Sequence, residues 1–210
     1  MAKAKTLGGL QLSGKLGDTL VFVRYGDEMI VRMAPSPRKK DSWSSKQQSQ
    51  RVRFRAVTWH YRWYKETVVV PIWNLSATVR HTGFNLFVQA NMPAFDQTGK
   101  VSDYSLLHFS TGPVPLPQNL TVERNPENPA QVQFRWSTNR LSQAEMASDK
   151  LMVFAYNPGY KSPLNTGASR ADGVASLDLP TDWGDRQLHL YLYFQRADGS
   201  AYSNDRYFTV

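Results

Sequence analysis

The chain has 210 residues, of which 41% are hydrophobic and 12% aromatic. That is enough for one large or two small domains with a real core, and too apolar for a disordered chain; with no cysteine at all, disulfides, thiolate metal sites and thiol nucleophiles are excluded. The net charge of +8 is unevenly placed, with 16 Lys/Arg against 7 Asp/Glu in residues 1–110 and 9 against 10 in residues 111–210, so the excess belongs to the first half and points to an anionic partner.

The N-terminal stretch holds lysines but no apolar segment of the kind a signal peptide needs, and no window approaches the roughly 18–20 apolar residues of a membrane span. The expectation is a soluble protein that is cytoplasmic or packaged in a particle (a virion), not Sec-secreted and without a membrane partner. Residues 9–16 have the spacing of a phosphate-binding P-loop. Leu16, however, stands where Ser or Thr must hold magnesium, and no buried strand precedes the segment. It reads instead as a flexible lead-in to a hairpin. The hairpin itself is predicted over residues 18–24 and 29–33, two apolar, β-branched runs separated by Tyr25-Gly26-Asp27-Glu28. Pro35 and Pro37 lack an N–H, so Ala34 to Asp41 reads as a basic loop carrying Arg38, Lys39 and Lys40.

A helix is predicted next. Ser45 and Gln48 form a capping-box pattern, and Lys46 to Glu66 contains no Gly or Pro. Val52, Ala56, Trp59 and Trp63 recur at spacings of four, three and four, one apolar stripe expected to face the core. Arg51, Arg55 and Arg62 fall near another single face at i, i+4 and i+11, with Arg53 off it. Pro71 and Asn74 then give a stop and a fresh N-cap. A second helix is predicted over Leu75 to Asn91, with Leu75, Val79, Leu86 and Phe87 on one side. Gly83 weakens it by about 1 kcal/mol relative to Ala, and Met92-Pro93 ends it.

From Leu106 the texture changes. Gly112 to Pro117 contains three prolines and reads as a stiff extended linker or an edge strand, which sets the domain boundary: 1–110 a basic α+β region, 111–210 an all-β unit. Strands are predicted at 120–124, 132–137, 151–156, 175–179, 187–195 and 207–210, separated by Asn125-Pro126, Asn157-Pro158-Gly159, Ala171-Asp172-Gly173 and Asp198-Gly199. Six or seven short strands in about 100 residues, one with Trp136, suggest an immunoglobulin- or fibronectin-III-like sandwich, and an α+β chain overall.

These segments also resemble, in order, an uncharacterised family of Bacteroidota proteins that occurs in their mobile elements as well. The elements that carry the resemblance are Ser13-Gly14-Lys15-Leu16-Gly17, Val31-Arg32, the run Gln47 to Phe54, Phe84-Asn85, Phe134-Arg135-Trp136, Asp149-Lys150-Leu151-Met152 and Tyr156-Asn157-Pro158. The resemblance covers nearly the whole chain and implies the two-part layout. It implies no activity and no site. The aromatic run Trp59 to Tyr64 departs from the family's pattern.

Chemistry is sparse. His60, His81, His108 and His189 lie far apart, with no second histidine at i+3 or i+4 for a metal, and no Gly-x-Ser-x-Gly elbow marks a nucleophile. No catalytic, metal or cofactor-binding residue is assigned, and neither an enzyme nor a small-molecule substrate is expected. The functional signal is the stretch from Arg32 to Lys65, with ten basic residues and one acid, Asp41. Its members Arg32, Arg38, Lys39, Lys40, Lys46, Arg51, Arg55, Arg62 and Lys65 are the expected contacts to an anionic partner or interface. Because the tryptophan spacing matches burial, the aromatics are read as core and the arginines as a docking face. The leading expectation is a structural or assembly protein working through protein–protein contacts, for example in a phage-like particle. The alternative is a nucleic-acid-binding protein using 32–65, with Trp43, Trp59, Tyr61 and Trp63 stacking on bases.

Overall fold

The computed structural model describes residues 2–4, 12–25, 28–36, 43–128, 130–138, 146–156, 163–180, 183 and 187–210. The chain is α+β, with N-terminal strands, two helices and C-terminal antiparallel sheets.

The N-terminal sheet has the order β1-β4-β3-β2, from β1 (Ala2–Ala4), β2 (Gly14–Leu16), β3 (Leu20–Tyr25) and β4 (Glu28–Met33), all antiparallel. The predicted hairpin is β3 and β4, and its turn residues 26–27 lie outside the described residues. Residues 14–16, expected as a flexible lead-in, form a strand. Gly17 supplies the left-handed turn (φ 58°) that folds it back onto β3, and Lys15 closes the turn on Asp18 at 2.7 Å. Leu16 lies opposite Leu20, Leu20 opposite Met33, and Phe22 opposite Val31, which puts these apolar side chains on one face. That face is covered at one end and open at the other: Met29 is buried and Leu20, Phe22 and Val31 are half-buried, whereas Leu16 is 61% and Met33 78% exposed.

Helix α1 (Ser45–Tyr64) is capped by Ser44, one residue before the predicted Ser45. Ser44 Oγ accepts from Gln47 N at 3.3 Å, and Ser44 N donates to Gln47 Oε1 at 3.0 Å. The helix ends in a single π turn, Lys65–Val69, before Pro71. The second helix is shorter than expected: α2 spans Gly83–Asn91, capped by Thr82 Oγ1, and a separate 3-10 turn covers Trp73–Ser76. Leu75 and Val79, expected on its inner face, are exposed. The reason is local. Asn74 crosses so close to Gly83 that a Cβ there would sit 3.0 Å from the Asn74 backbone nitrogen, so Gly83 opens the helix instead of standing inside it.

The C-terminal half has two antiparallel sheets. One has the order β5-β6-β9, from β5 (Thr121–Arg124), β6 (Gln131–Arg135) and β9 (Val174–Asp178). The other has the order β11-β10-β7-β8, from β7 (Lys150–Ala155), β8 (Leu164–Ser169), β10 (His189–Gln195) and β11 (Arg206–Thr209). Strand β8 is not expected from sequence: Leu-Asn-Thr-Gly-Ala-Ser has no apolar alternation. Leu151, Val153, Leu190, Leu192 and Phe194 meet Val132, Phe134 and Trp136 in the core between the sheets. A buried ion pair closes its edge. Arg170 Nε donates to Asp149 Oδ2 at 3.3 Å and Arg170 Nη2 to the Pro115 carbonyl at 2.8 Å, with the guanidinium 4.4 Å over the Phe194 ring.

β10 is buried on both sides. While Leu190, Leu192 and Phe194 point into the sheet-to-sheet core, Tyr191 and Tyr193 point the other way, as period-two alternation requires. There they join Phe154 and Tyr202 beneath the helical layer, against Val57, Tyr64, Val68, Trp73, Phe87, Phe95 and Phe109. The helices therefore roof the outer face of the four-stranded sheet. The proline segment is packed too: Val114 is buried and its N–H donates to the Tyr202 carbonyl at 3.0 Å.

Candidate binding face on the first helix

α1 carries Lys46, Arg51, Arg53, Arg55 and Arg62 and no acid. Its inner side is set by the aromatic underside of the helical layer. Val57 and Tyr64 are buried; the Tyr64 ring stands edge-on to Phe109 and Phe154, His60 is edge-on to Phe95, and Tyr61 is edge-on to Phe84. This inner stripe is the predicted one moved on by a residue, about 100° round the helix. Val52, Ala56 and Trp63 end half-buried on its flank, and Trp59 is 55% exposed. The expectation that Trp59 belongs to the core is thus corrected.

The consequence is an outward face where charge and rings lie together. Arg51, Arg55 and Arg62 are exposed, Phe54 is 46% exposed beside them, and with Gln50, Thr58 and Trp59 they line an open groove of about 550 Å³. Two stacks stiffen it. The Arg51 guanidinium lies 4.0 Å over the Trp43 ring, and Trp59 and Trp63 are stacked at 5.3 Å with 17° between planes. Among the described residues, no carboxylate lies within ion-pair distance of Arg51, Arg55 or Arg62.

The other expected contacts are dispersed. Arg32 is exposed on β4 in the N-terminal sheet. Lys46 lies round the helix with Arg53, Ser45, Ser49 and Gln97, about a separate polar pocket of about 360 Å³. Arg53 Nε is buried there without an acceptor among the described residues. Lys65 sits on the π turn, 3.4 Å from Glu66. Arg38, Lys39 and Lys40 lie outside the described residues. The structure brings Arg51, Arg55 and Arg62 together, as the spacing predicts, and adds Phe54, whose place three residues after Arg51 was the available signal.

His108 and Asp205 lie at the seam between helices and sheet. Asp205 accepts from the N–H groups of Phe109 and Ser110 and, at 2.9 Å, from His108 Nδ1, a contact that raises the imidazole pKa. Asn91 receives the His108 N–H at 2.8 Å and donates to the carbonyls of His108 and Phe87. Through its contacts Asp205 ties residues 108–110 to the chain before β11. Among the described residues, no three or more His, Asp or Glu converge as a metal set. None of the described helices is long and apolar enough to cross a membrane.

A family model described as a family of unknown function (DUF6266) matches residues 39–209, from just before α1 to the end of β11. No curated protein and no solved structure matches the chain.

Proposed function

We propose that this chain, which belongs to the DUF6266 family of unknown function, is a non-catalytic protein that binds nucleic acid through the outer face of α1. One observation carries the reading: exposed Trp59 and Phe54 stand among three arginines that have no carboxylate partner among the described residues, on a 20-residue helix without an acid. Guanidinium forks meet phosphate oxygens two at a time, and a basic stripe along one helix is the usual electrostatic footprint of a nucleic-acid partner. An arginine face whose rings were all buried would suit a purely protein partner; Trp59, 55% exposed, adds an open ring to it.

The test is a salt titration of oligonucleotide binding by fluorescence anisotropy. With three phosphates neutralised, affinity should fall about 20- to 40-fold between 50 and 200 mM salt. Replacing Arg51, Arg55 and Arg62 together by Gln should abolish most of the binding and flatten the salt dependence. Weak, salt-independent binding, unchanged in the triple variant, would end the reading.

The N-terminal sheet favours a second reading, that of a structural or assembly protein such as a component of a phage-like particle. At one end of that sheet Leu16 and Met33, 61% and 78% exposed, leave an apolar edge uncovered, as interface patches are. Sedimentation of material from the native source tests it: a large complex supports assembly, and a lone monomer removes it.

A further inference from the structure

Resting on the nucleic-acid reading, we infer that the α1 face selects single strands over duplex, holding unstacked bases on Trp59 and Phe54 while Arg51, Arg55 and Arg62 take the phosphates. The residues between the arginines decide this. Recognition within a duplex is made on base edges, by side chains that donate and accept hydrogen bonds, because the flat faces of paired bases are hidden in the stack. Besides the arginines the groove is lined by Gln50, Phe54, Thr58 and Trp59, and two of those four are exposed flat rings. A ring exposed to water gains little against a sugar–phosphate backbone and much against the face of an unpaired base.

Trp59 is placed for that use. Trp63 backs one side of the indole and His60 meets it edge-on, so the ring is held in one orientation with more than half its surface open. The groove beside it has the volume of a site for a small planar ligand. Arg51 stacks flat on Trp43, which fixes the plane of the guanidinium and leaves its N–H edge to a phosphate. From Arg51 to Arg62 the row runs about 16 Å along the helix, a track on which a flexible strand can set successive phosphates while its bases turn to the rings. Charge supplies the rest: the partner is a polyanion and the helix has no acid to repel it.

The experiment uses the intact protein with oligo(dT), a duplex of equal length, and poly-glutamate as a non-nucleic polyanion, read by anisotropy and by quenching of tryptophan fluorescence. The single strand is expected to bind at least tenfold more tightly than the duplex and to quench fluorescence. Trp59→Ala should weaken single-strand binding roughly tenfold, leave duplex binding unchanged, and keep the thermal melt of the parent. Phe54→Ala is the second variant, with the same direction of effect. Arg55→Gln should shallow the single-strand salt slope by about 0.7. Duplex binding equal to or tighter than single-strand binding, or indifference to both ring variants, overturns the inference and leaves the nucleic-acid reading standing. Binding of poly-glutamate with neither nucleic acid bound overturns both and makes the partner an acidic protein.

Discussion

Three histidines on the seam between helices and sheet are pushed in opposite directions by their neighbours. His60 Nδ1 lies 3.2 Å from the Ala56 carbonyl, which only accepts, so that nitrogen carries the proton and Nε2 accepts from the Tyr156 hydroxyl at 3.1 Å. His189 stacks on Tyr104 at 3.8 Å and meets the Tyr207 hydroxyl at 2.7 Å. Burial lowers both pKa values below the ordinary 6.5, and pushes the Tyr156 phenol up to about 12. His108, hydrogen-bonded to Asp205, is raised above 6.5. The signs of the stability contributions follow from linkage. As pH falls through 6.5, the unfolded chain takes up protons that folded His60 and His189 resist, and stability drops. The His108 contribution is fully present below 6.5 and is lost as pH rises through its higher folded pKa. NMR titration should therefore find His60 and His189 midpoints below 6.5 and the His108 midpoint above it. In His108→Gln the gain in stability as pH falls toward 6.5 should disappear, while the loss below 6.5 that His60 and His189 cause should remain. A His108 midpoint under 6.5 would contradict the Asp205 contact.

At the scale of the element, α1 is decided by what it covers. Tyr64 is 3% exposed and meets Phe109 and Phe154, whereas Trp59 is 55% exposed. Tyr64→Ala should cost about 3–4 kcal/mol in urea unfolding and Trp59→Ala less than about 1, although the indole is the larger ring. The reverse order would put the helix in the predicted register after all. That register was not legible in the sequence for a specific reason: from Ala56 to Tyr64, apolar or aromatic residues surround the axis, so the 3.6 period admits two neighbouring stripes. The choice between them comes from Phe154, Tyr191 and Tyr193, some 90–130 positions away. The spacing of Arg51, Arg55 and Arg62 was legible because their face stays outside in either register; the rings that accompany it were not. In the second half, alternation and turn residues located all the predicted strands to within a few residues, since each is written locally. β8 escaped because an edge strand of Asn, Thr and Gly is held by its pairing to β7 and not by its own pattern.

For the molecule as a whole, charge and packing divide the chain differently. Charge separates a basic first half from a nearly neutral second half, and composition places a boundary near residue 110. Packing ignores that boundary. One core takes side chains from α1, the π turn and α2 on one side and Phe154, Tyr191, Tyr193 and Tyr202 on the other. The Tyr191 hydroxyl donates to the Tyr104 carbonyl at 2.6 Å, and Asp205 ties the chain at 108–110 to the turn before β11. The proposed binding face is thus presented on a roof fixed to the sheet, which would keep the spacing of its arginines when a partner arrives. Removing the roof would expose four large aromatic side chains on the outer face of the sheet, a patch that soluble monomers seldom leave to water. Calorimetry of the intact chain should accordingly show a single cooperative transition across both halves, and residues 111–210 alone should melt far lower or aggregate. Two separate transitions, with the isolated second half reproducing one of them, would show that the seam holds two independent bodies and that the aromatic contacts across it contribute little.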